Sequence, residues 1–217
     1  ELMARGQVRR GQLIATYGPG ARIDLPHDAG IVAGLEGWGR LSDLEQIDEP
    51  RLSAKLSQMT GISAPRLMAP PRASDRPWEK GPGVTVWRFP EWFVVQDERQ
   101  DDERVRKRRL VYVRRLDDKK RKFERKKVVP TRFVRACPRG HVDDLDWYEF
   151  VHGPDSSCRQ QLWIEERGTT GDLFEMIVRC ECGASVRMSD AVKHEATPLG
   201  HCSGRRPWLG PNAREDC

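Results

Sequence analysis

Long apolar runs are missing from these 217 residues. No stretch approaches the roughly 20 consecutive apolar residues that cross a bilayer. The opening Glu1-Leu-Met-Ala-Arg-Gly-Gln-Val-Arg-Arg lacks the apolar core of a secretory leader. The expected location is therefore cytoplasmic. Hydrophobic residues make up 37% of the chain and aromatics 7%, against 33% charged, so the core is thin for this length. Signatures of familiar chemistry are missing too. There is no GxxxxGK[ST] phosphate loop, no GxGxxG after a strand, no GxSxG elbow and no HExxH. Carboxylate pairs such as Asp143-Asp144 occur, but no nucleophile stands in a pattern with a base. The sequence argues against an autonomous enzyme.

Six cysteines are present, all in residues 131–217. A disulfide between Cys180 and Cys182 would strain the bridge, because a single residue separates them. Clustered cysteines in a long, charged chain read more readily as metal ligands. Structural zinc takes four thiolate or imidazole ligands in a tetrahedron. The first candidates are Cys158, Cys180, Cys182, Cys202 and Cys217. Cys180-Glu-Cys182-Gly183 ends a strand, and alternate strand residues point the same way. Cys137-Pro-Arg-Gly-His141 forms a second pair, with His141 either a ligand or a hydrogen-bonded loop histidine. A second ion would need more ligands than these seven, expected from chain beyond Cys217. His27, His152, His194 and His201 read as structural or exposed. A site of this kind would be a structural Zn²⁺ that supplies folding energy.

The net charge of +5 conceals an asymmetry. Residues 104–127 hold 14 Lys and Arg against three acids, and the rest of the chain is net acidic. Such a run attracts a phosphate backbone through counterion release, with Tyr112 and Phe123 available to stack on bases. The candidate DNA contacts are Arg106, Lys107, Arg108, Arg109, Arg114, Arg115, Lys119, Lys120, Arg121 and Lys122. The bland alternative is a solvated edge hairpin whose charges block aggregation. An acidic partner protein is the other polyanion to consider, and the acids of residues 97–103 would shield the run when it is unbound.

The pattern predicts an α+β, strand-rich fold in three regions. Residues 1–97 hold short strands at Ala21–Leu25 and Ile31–Leu35. They also hold a helix opened by Pro50 and closed by Gly61, with Leu52, Leu56 and Met59 on one face. A strand at Val84–Phe89 follows. Residues 98–130 form a basic hairpin or linker, with Leu110–Val113 and Phe123–Val129 as strands around Asp117-Asp118, or a helix over 117–127. Residues 131–217 form a cysteine-rich, zinc-ribbon-like module, with a hairpin from 161–167 and 173–179 and a short helix after Ser189. Trp87, Phe89, Trp92 and Phe93 are the densest aromatic patch, either core or partner surface.

Several motifs carry a family resemblance. They are Val8-Arg-Arg-Gly-Gln-Leu-Ile-Ala-Thr-Tyr-Gly-Pro-Gly-Ala21, Ile31-Val-Ala-Gly-Leu35, Trp87-Arg-Phe-Pro-Glu-Trp92 and Phe133-Val-Arg-Ala-Cys-Pro-Arg-Gly-His141. Cys158-Arg-Gln-Gln-Leu-Trp-Ile-Glu-Glu-Arg-Gly168, Arg179-Cys-Glu-Cys-Gly183 and Arg206-Pro-Trp-Leu-Gly-Pro211 complete the set. Together they resemble the N-terminal part of the DrmB family, accessory subunits of the DISARM anti-phage system. The resemblance implies a longer protein of which this chain is a piece. It also implies an SNF2-like helicase partner (DrmA-like) carrying the ATPase motor, DNA binding by the pair, and stimulation of the motor by the accessory subunit. It further implies a CxxC after the Arg-Phe-Pro motif; Phe93-Val-Val-Gln-Asp97 stands there instead, so that metal site is not expected. The sequence also leaves open an interaction scaffold without DNA contact, and a metal-dependent nuclease.

Overall fold

A computed structural model describes residues 9–25, 28–71, 83–96, 99–102, 105–117, 122–168, 170–193 and 198–217. The side chains of Leu25 and of residues 99–102 are excepted. The candidates Lys119, Lys120, Arg121, His27 and His194 lie outside the described residues. The fold is α+β and strand-rich, with three short α-helices among the described residues. It divides into two compact units. One comprises Glu1–Pro26, Gly30–Trp87 and Trp208–Pro211, the other His27–Ala29, Arg88–Pro207 and Asn212–Cys217. Positions 97 and 130, read as region boundaries from sequence, fall inside the second unit.

In the first unit, α1 (Arg10–Ala15) precedes β1 (Arg22–Leu25) and β2 (Asp28–Val32). Then come β3 (Gln46–Ile47), α2 (Pro50–Thr60), β4 (Leu67–Met68) and β5 (Val86–Arg88). Strands β1, β2 and β5 form a sheet in that order, and β3 pairs with β4. Leu13, Ile23, Val32 and Trp38 are its core. The helix expected at Pro50 is present. Glu49 accepts from the Arg51 N–H at 3.3 Å, and Gly61 closes the helix with φ 73°. The second expected strand is displaced toward the N-terminus, to Asp28–Val32, because Leu35–Gly37 turn into a 3-10 helix.

The second unit contains β6 (Trp92–Val95), β7 (Arg99–Asp102), β8 (Val105–Tyr112), β9 (Lys122–Phe123) and β10 (Lys126–Pro130). It continues with β11 (Val134–Ala136), β12 (Val142–Asp144), α3 (Trp147–His152), β13 (Leu162–Arg167), β14 (Met176–Cys180) and β15 (Ser185–Arg187). Its main sheet runs β15-β14-β13-β8-β6-β10-β9, with β7 also pairing β8. The sequence-predicted hairpin of β8 with β10 does not form. β6 lies between them, because its buried run Trp92–Val95 fills the centre of the sheet better than a charged strand would. The helix alternative for 117–127 fails at β9 and β10. The stretch after Ser189 is a 3-10 helix, Met188–Val192.

Period-two alternation separates the two faces of the sheet. Trp92, Val94, Leu110, Leu162, Ile164, Met176, Val178 and Cys180 point to one face and pack under Leu145, Trp147 and Phe150 beside α3. Phe93, Val95, Val111, Phe123 and Val128 form a smaller cluster. Phe89, Trp92 and Phe93 are buried, so the aromatic patch serves the core and not an exposed partner surface. Leu162 is paired to both neighbours at once, opposite Leu110 on β8 and Cys180 on β14. Its side chain is completely buried. Leu162→Ala should therefore lower unfolding free energy by about 2–5 kcal/mol, read from the midpoint of urea denaturation.

Candidate metal centres

The six cysteines are all free thiols, and the structure gathers them into two clusters, each completed by a histidine. The first comprises Cys137, His141, Cys202 and Cys217; the second comprises His152, Cys158, Cys180 and Cys182. Within each cluster the four donor atoms all lie within 4.8 Å of one another. The five cysteines from 158 to 217 thus do not converge on one point: three go to one cluster and two to the other. The fourth donor of the second cluster is His152, a residue that the sequence reads as structural or exposed.

Both clusters use the same local device. In the first, β11 and β12 form a hairpin closed by Cys137-Pro-Arg-Gly-His141. The Cys137 N–H donates to the His141 carbonyl at 3.0 Å, and the Gly140 N–H to the Cys137 carbonyl at 2.9 Å. In the second, β14 and β15 are closed by Cys180-Glu-Cys182-Gly183. There the Cys180 N–H donates to the Ala184 carbonyl at 2.8 Å, and the Gly183 N–H to the Cys180 carbonyl at 3.0 Å. Gly140 (φ 86°) and Gly183 (φ 99°) take the left-handed backbone that lets each tip turn under its ligands. Remote segments add the other donors. Cys202 and Cys217 come from the C-terminal segment. His152 ends α3, whose N-terminus is capped by Asp146 accepting from Tyr148 and Glu149, and Cys158 follows in the next loop.

The spacings suit a soft metal. A tetrahedron with arms of about 2.3 Å to sulfur and about 2.0 Å to nitrogen has edges of about 3.5–3.8 Å. Cys158 and Cys180 Sγ lie 3.7 Å apart, Cys137 and Cys217 Sγ 4.0 Å. His141 Nδ1 is 3.3 Å from Cys137 Sγ and 3.5 Å from Cys202 Sγ, and His152 Nε2 is 3.3 Å from Cys182 Sγ. Each imidazole is oriented through its other nitrogen, as metal-binding histidines are. Glu215 Oε1 lies 2.5 Å from His141 Nε2, and the Tyr148 carbonyl 2.9 Å from His152 Nδ1. A backbone N–H from Gly204 reaches Cys202 Sγ at 3.4 Å. A side chain at Gly204 has no room, because its Cβ would lie 1.6 Å from the Glu215 carbonyl oxygen.

Electrostatics favours ionisation of two donors, Cys137 and Cys182, and opposes it at Cys180 and Cys217. Partial burial opposes ionisation of Cys137, but backbone donors at His141 and Arg139, with help from Cys202 and His141, bring its thiol down to about 6. The backbone N–H of Ala184, with His152 and Cys180, brings Cys182 down to about 7. Burial pushes Cys180 up to about 11. The hydrogen bond that His141 Nε2 donates to the Glu215 carboxylate raises His141, and the same contact lowers Glu215. The remaining thiols would release protons on binding a cation. Four protein donors fill a tetrahedron, so each cluster suits a structural and not a catalytic ion.

A buried ionic network braces the first cluster. Arg205 is 5% exposed and reaches Asp143 at 2.8 Å, Glu91 at 3.1 Å and Asp144 at 3.4 Å. Arg135 and Ser203 also hold Asp143. Asp144 accepts from the Glu91 N–H at 3.1 Å. Burial raises its carboxyl to about 6, with Glu91 and Asp143 adding to the rise and Arg205 opposing it. Sequence reasoning saw Asp143-Asp144 only as an unremarkable pair; the signal that could have found the network is Arg205, three residues after Cys202.

The basic segment is less free than its charge suggests. β8 is an interior strand flanked by β13 and β6, so the solvated edge-hairpin reading does not apply to it, whereas β9 lies at the sheet edge beside β10. Lys107 pairs with Glu165 at 3.6 Å, Arg108 with Glu166 at 2.5 Å and Arg109 with Glu124 at 2.8 Å. The first two are cross-strand charge pairs of the kind that stabilise sheets, and the third ties β8 to the turn between β9 and β10. Arg106, Arg114 and Arg115 are exposed, and Lys122 is half-buried on β9.

Residues 9–217 match a family model described as a domain of unknown function (DUF8724), and the chain belongs to that family. Among curated proteins it is related to the DISARM protein DrmB of Bacillus paralicheniformis, with 31% identity over 83 residues. That alignment covers 38% of this chain and 15% of the DrmB chain.

Two outcomes follow from the geometry. Metal analysis of the purified chain should find two ions per chain, one for each cluster. His152→Ala and Cys217→Ser should each remove one. Asp144 gives a pH signature. Its folded pKa lies above the unfolded value of about 3.9, so the folded state holds the proton longer. Its contribution to stability is neutral at low pH and turns unfavourable as pH rises through about 4 to 6. The melting temperature of Asp144→Asn relative to the parent should therefore climb across that window.

Proposed function

We propose that this chain is a zinc-stabilised, non-catalytic accessory module of a DISARM-type anti-phage complex. It works beside an SNF2-like helicase, contributes to DNA binding and stimulates the helicase ATPase. The observation that carries the reading is the similarity to DrmB, whose name places that protein in DISARM. The metal assignment is supported by the two Cys₃His clusters. Thiolate-rich tetrahedral sites of this composition suit Zn²⁺, and a closed donor set suits a folding role. A nuclease using Mg²⁺ or Mn²⁺ would need oxygen donors, which neither cluster supplies.

The test is reconstitution with the cognate helicase subunit. The chain should be retained by the helicase and should raise its DNA-dependent ATPase rate. Cys137→Ser and Cys180→Ser, each breaking one cluster, should reduce both effects. A helicase that neither retains the chain nor responds to it would overturn the reading. The pairing of Lys107, Arg108 and Arg109 with glutamates favours one second reading, a scaffold that touches the helicase without DNA contact. Retention that survives high salt, with no DNA binding by the chain, would select it.

A further inference from the structure

In the second unit, a cleft of about 890 Å³ opens between β6, β8, β12 and the start of α3. Its volume lies within the range of about 300–1,000 Å³ typical of small-ligand sites. We infer that this cleft takes an unpaired nucleotide of single-stranded DNA, with the phosphates on an arginine rim and the base directed inward. The inference rests on the DNA-contact part of the reading above and moves that contact off the basic strand.

Three features support it. The first is the distribution of uncommitted positive charge. Arg115, Arg159 and Arg214 line the cleft and are exposed. Arg115 donates to the Gln161 amide oxygen at 3.1 Å, and Arg159 to the carbonyls of Ser156 and Cys158. Among the described residues none of the three is paired with a carboxylate, whereas Lys107, Arg108 and Arg109 on β8 all are. A phosphate approaching the rim therefore displaces no internal ion pair.

The second feature is an aromatic floor. Trp92 meets Tyr112 and Tyr148 edge to face, with ring centroids 5.5 and 5.9 Å apart. The Arg159 guanidinium lies 5.0 Å from the Tyr148 ring centroid. Trp92 is buried and Tyr148 is stacked with His152 at 6.3 Å, so the rings form the support for Arg159, whose guanidinium plane is the surface on which an unpaired base stacks.

The third feature orients the ligand. The inner wall carries Glu91 and Asp144. Among the described residues Glu91 accepts through Oε2, from the Tyr112 hydroxyl and from Arg205, which leaves its Oε1 to accept another hydrogen bond. Such a wall repels phosphate and accepts from an exocyclic amino group. Cytosine and adenine present that donor and thymine does not. A base in a duplex cannot reach the wall without leaving its stack, so single strands are selected.

The experiment is fluorescence anisotropy on the metal-loaded full chain, with labelled oligo-dC, oligo-dT and a duplex of equal length. Oligo-dC should bind about tenfold more tightly than oligo-dT and more tightly than the duplex. The double variant Arg115→Gln, Arg159→Gln should reduce the salt slope for oligo-dC by about 1.4, for two lost phosphate contacts. Glu91→Gln should abolish the preference for dC over dT. Two metal ions per chain in each variant certify that the clusters are intact. Should Arg159→Gln lose metal, Arg115→Gln alone carries the test, with a slope change of about 0.7. If the slope is unchanged in these variants but falls in Arg106→Gln, Arg114→Gln, the cleft proposal is overturned while DNA contact stands. Equal affinity for dC and dT also overturns it. No salt-dependent binding to any DNA would overturn the DNA-contact reading itself, and the cleft with it.

Discussion

The convergence of soft donors is the constraint on which the second unit depends. Each cluster joins a hairpin tip to segments far away in sequence: Cys137 and His141 to Cys202 and Cys217, Cys180 and Cys182 to His152 and Cys158. A chain with 37% hydrophobic residues has little apolar surface with which to fix such loops. Metal coordination would do so directly, because the ligands must be brought together and deprotonated before the ion is held. The supporting contacts match that role. Glu215 and the Tyr148 carbonyl each set one imidazole, and the hairpin hydrogen bonds set the thiols.

The hydrophobic core and the clusters are not separate systems. Cys180 is a buried member of the main core as well as a donor, opposite Leu162 in the sheet. α3 contributes Trp147 and Phe150 to that core and His152 to the second cluster. The helix is therefore fixed at both ends, by apolar burial near its start and by a donor position at its end. The Arg205 network plays the equivalent part for the first cluster. It ties β12, which follows His141, to the segment that follows Cys202, and its charges are stabilised by mutual hydrogen bonding in place of water.

Charge is used in two different ways. On β8 it is structural: Lys107 and Arg108 face Glu165 and Glu166 across the ladder, and Lys107 also lies 5.2 Å from the Trp163 ring. At the cleft, Arg205 and Arg135 are paired with acids, whereas Arg115, Arg159 and Arg214 have no carboxylate partner among the described residues. A sequence count of Lys and Arg weights both alike, because the glutamate that pairs with Arg108 lies 58 positions further along the chain.

The sequence by itself determined what depends on local pattern. The helix at Pro50–Thr60 was legible because proline, an apolar stripe and a terminal glycine all act within one element. The 161–179 hairpin was legible through its alternation and its glycine-containing loop, and the cysteines through their chemistry. The tertiary structure decided which donors come together. Cys202 and Cys217 join Cys137 and not Cys180, and His152, structural or exposed by its sequence, completes the second set. It also placed β6 between β8 and β10, turning an expected basic hairpin strand into an interior strand whose Lys107, Arg108 and Arg109 are paired with glutamates. Ligand partition and strand order both depend on contacts between distant segments, and such contacts leave no periodicity or spacing to read in the sequence.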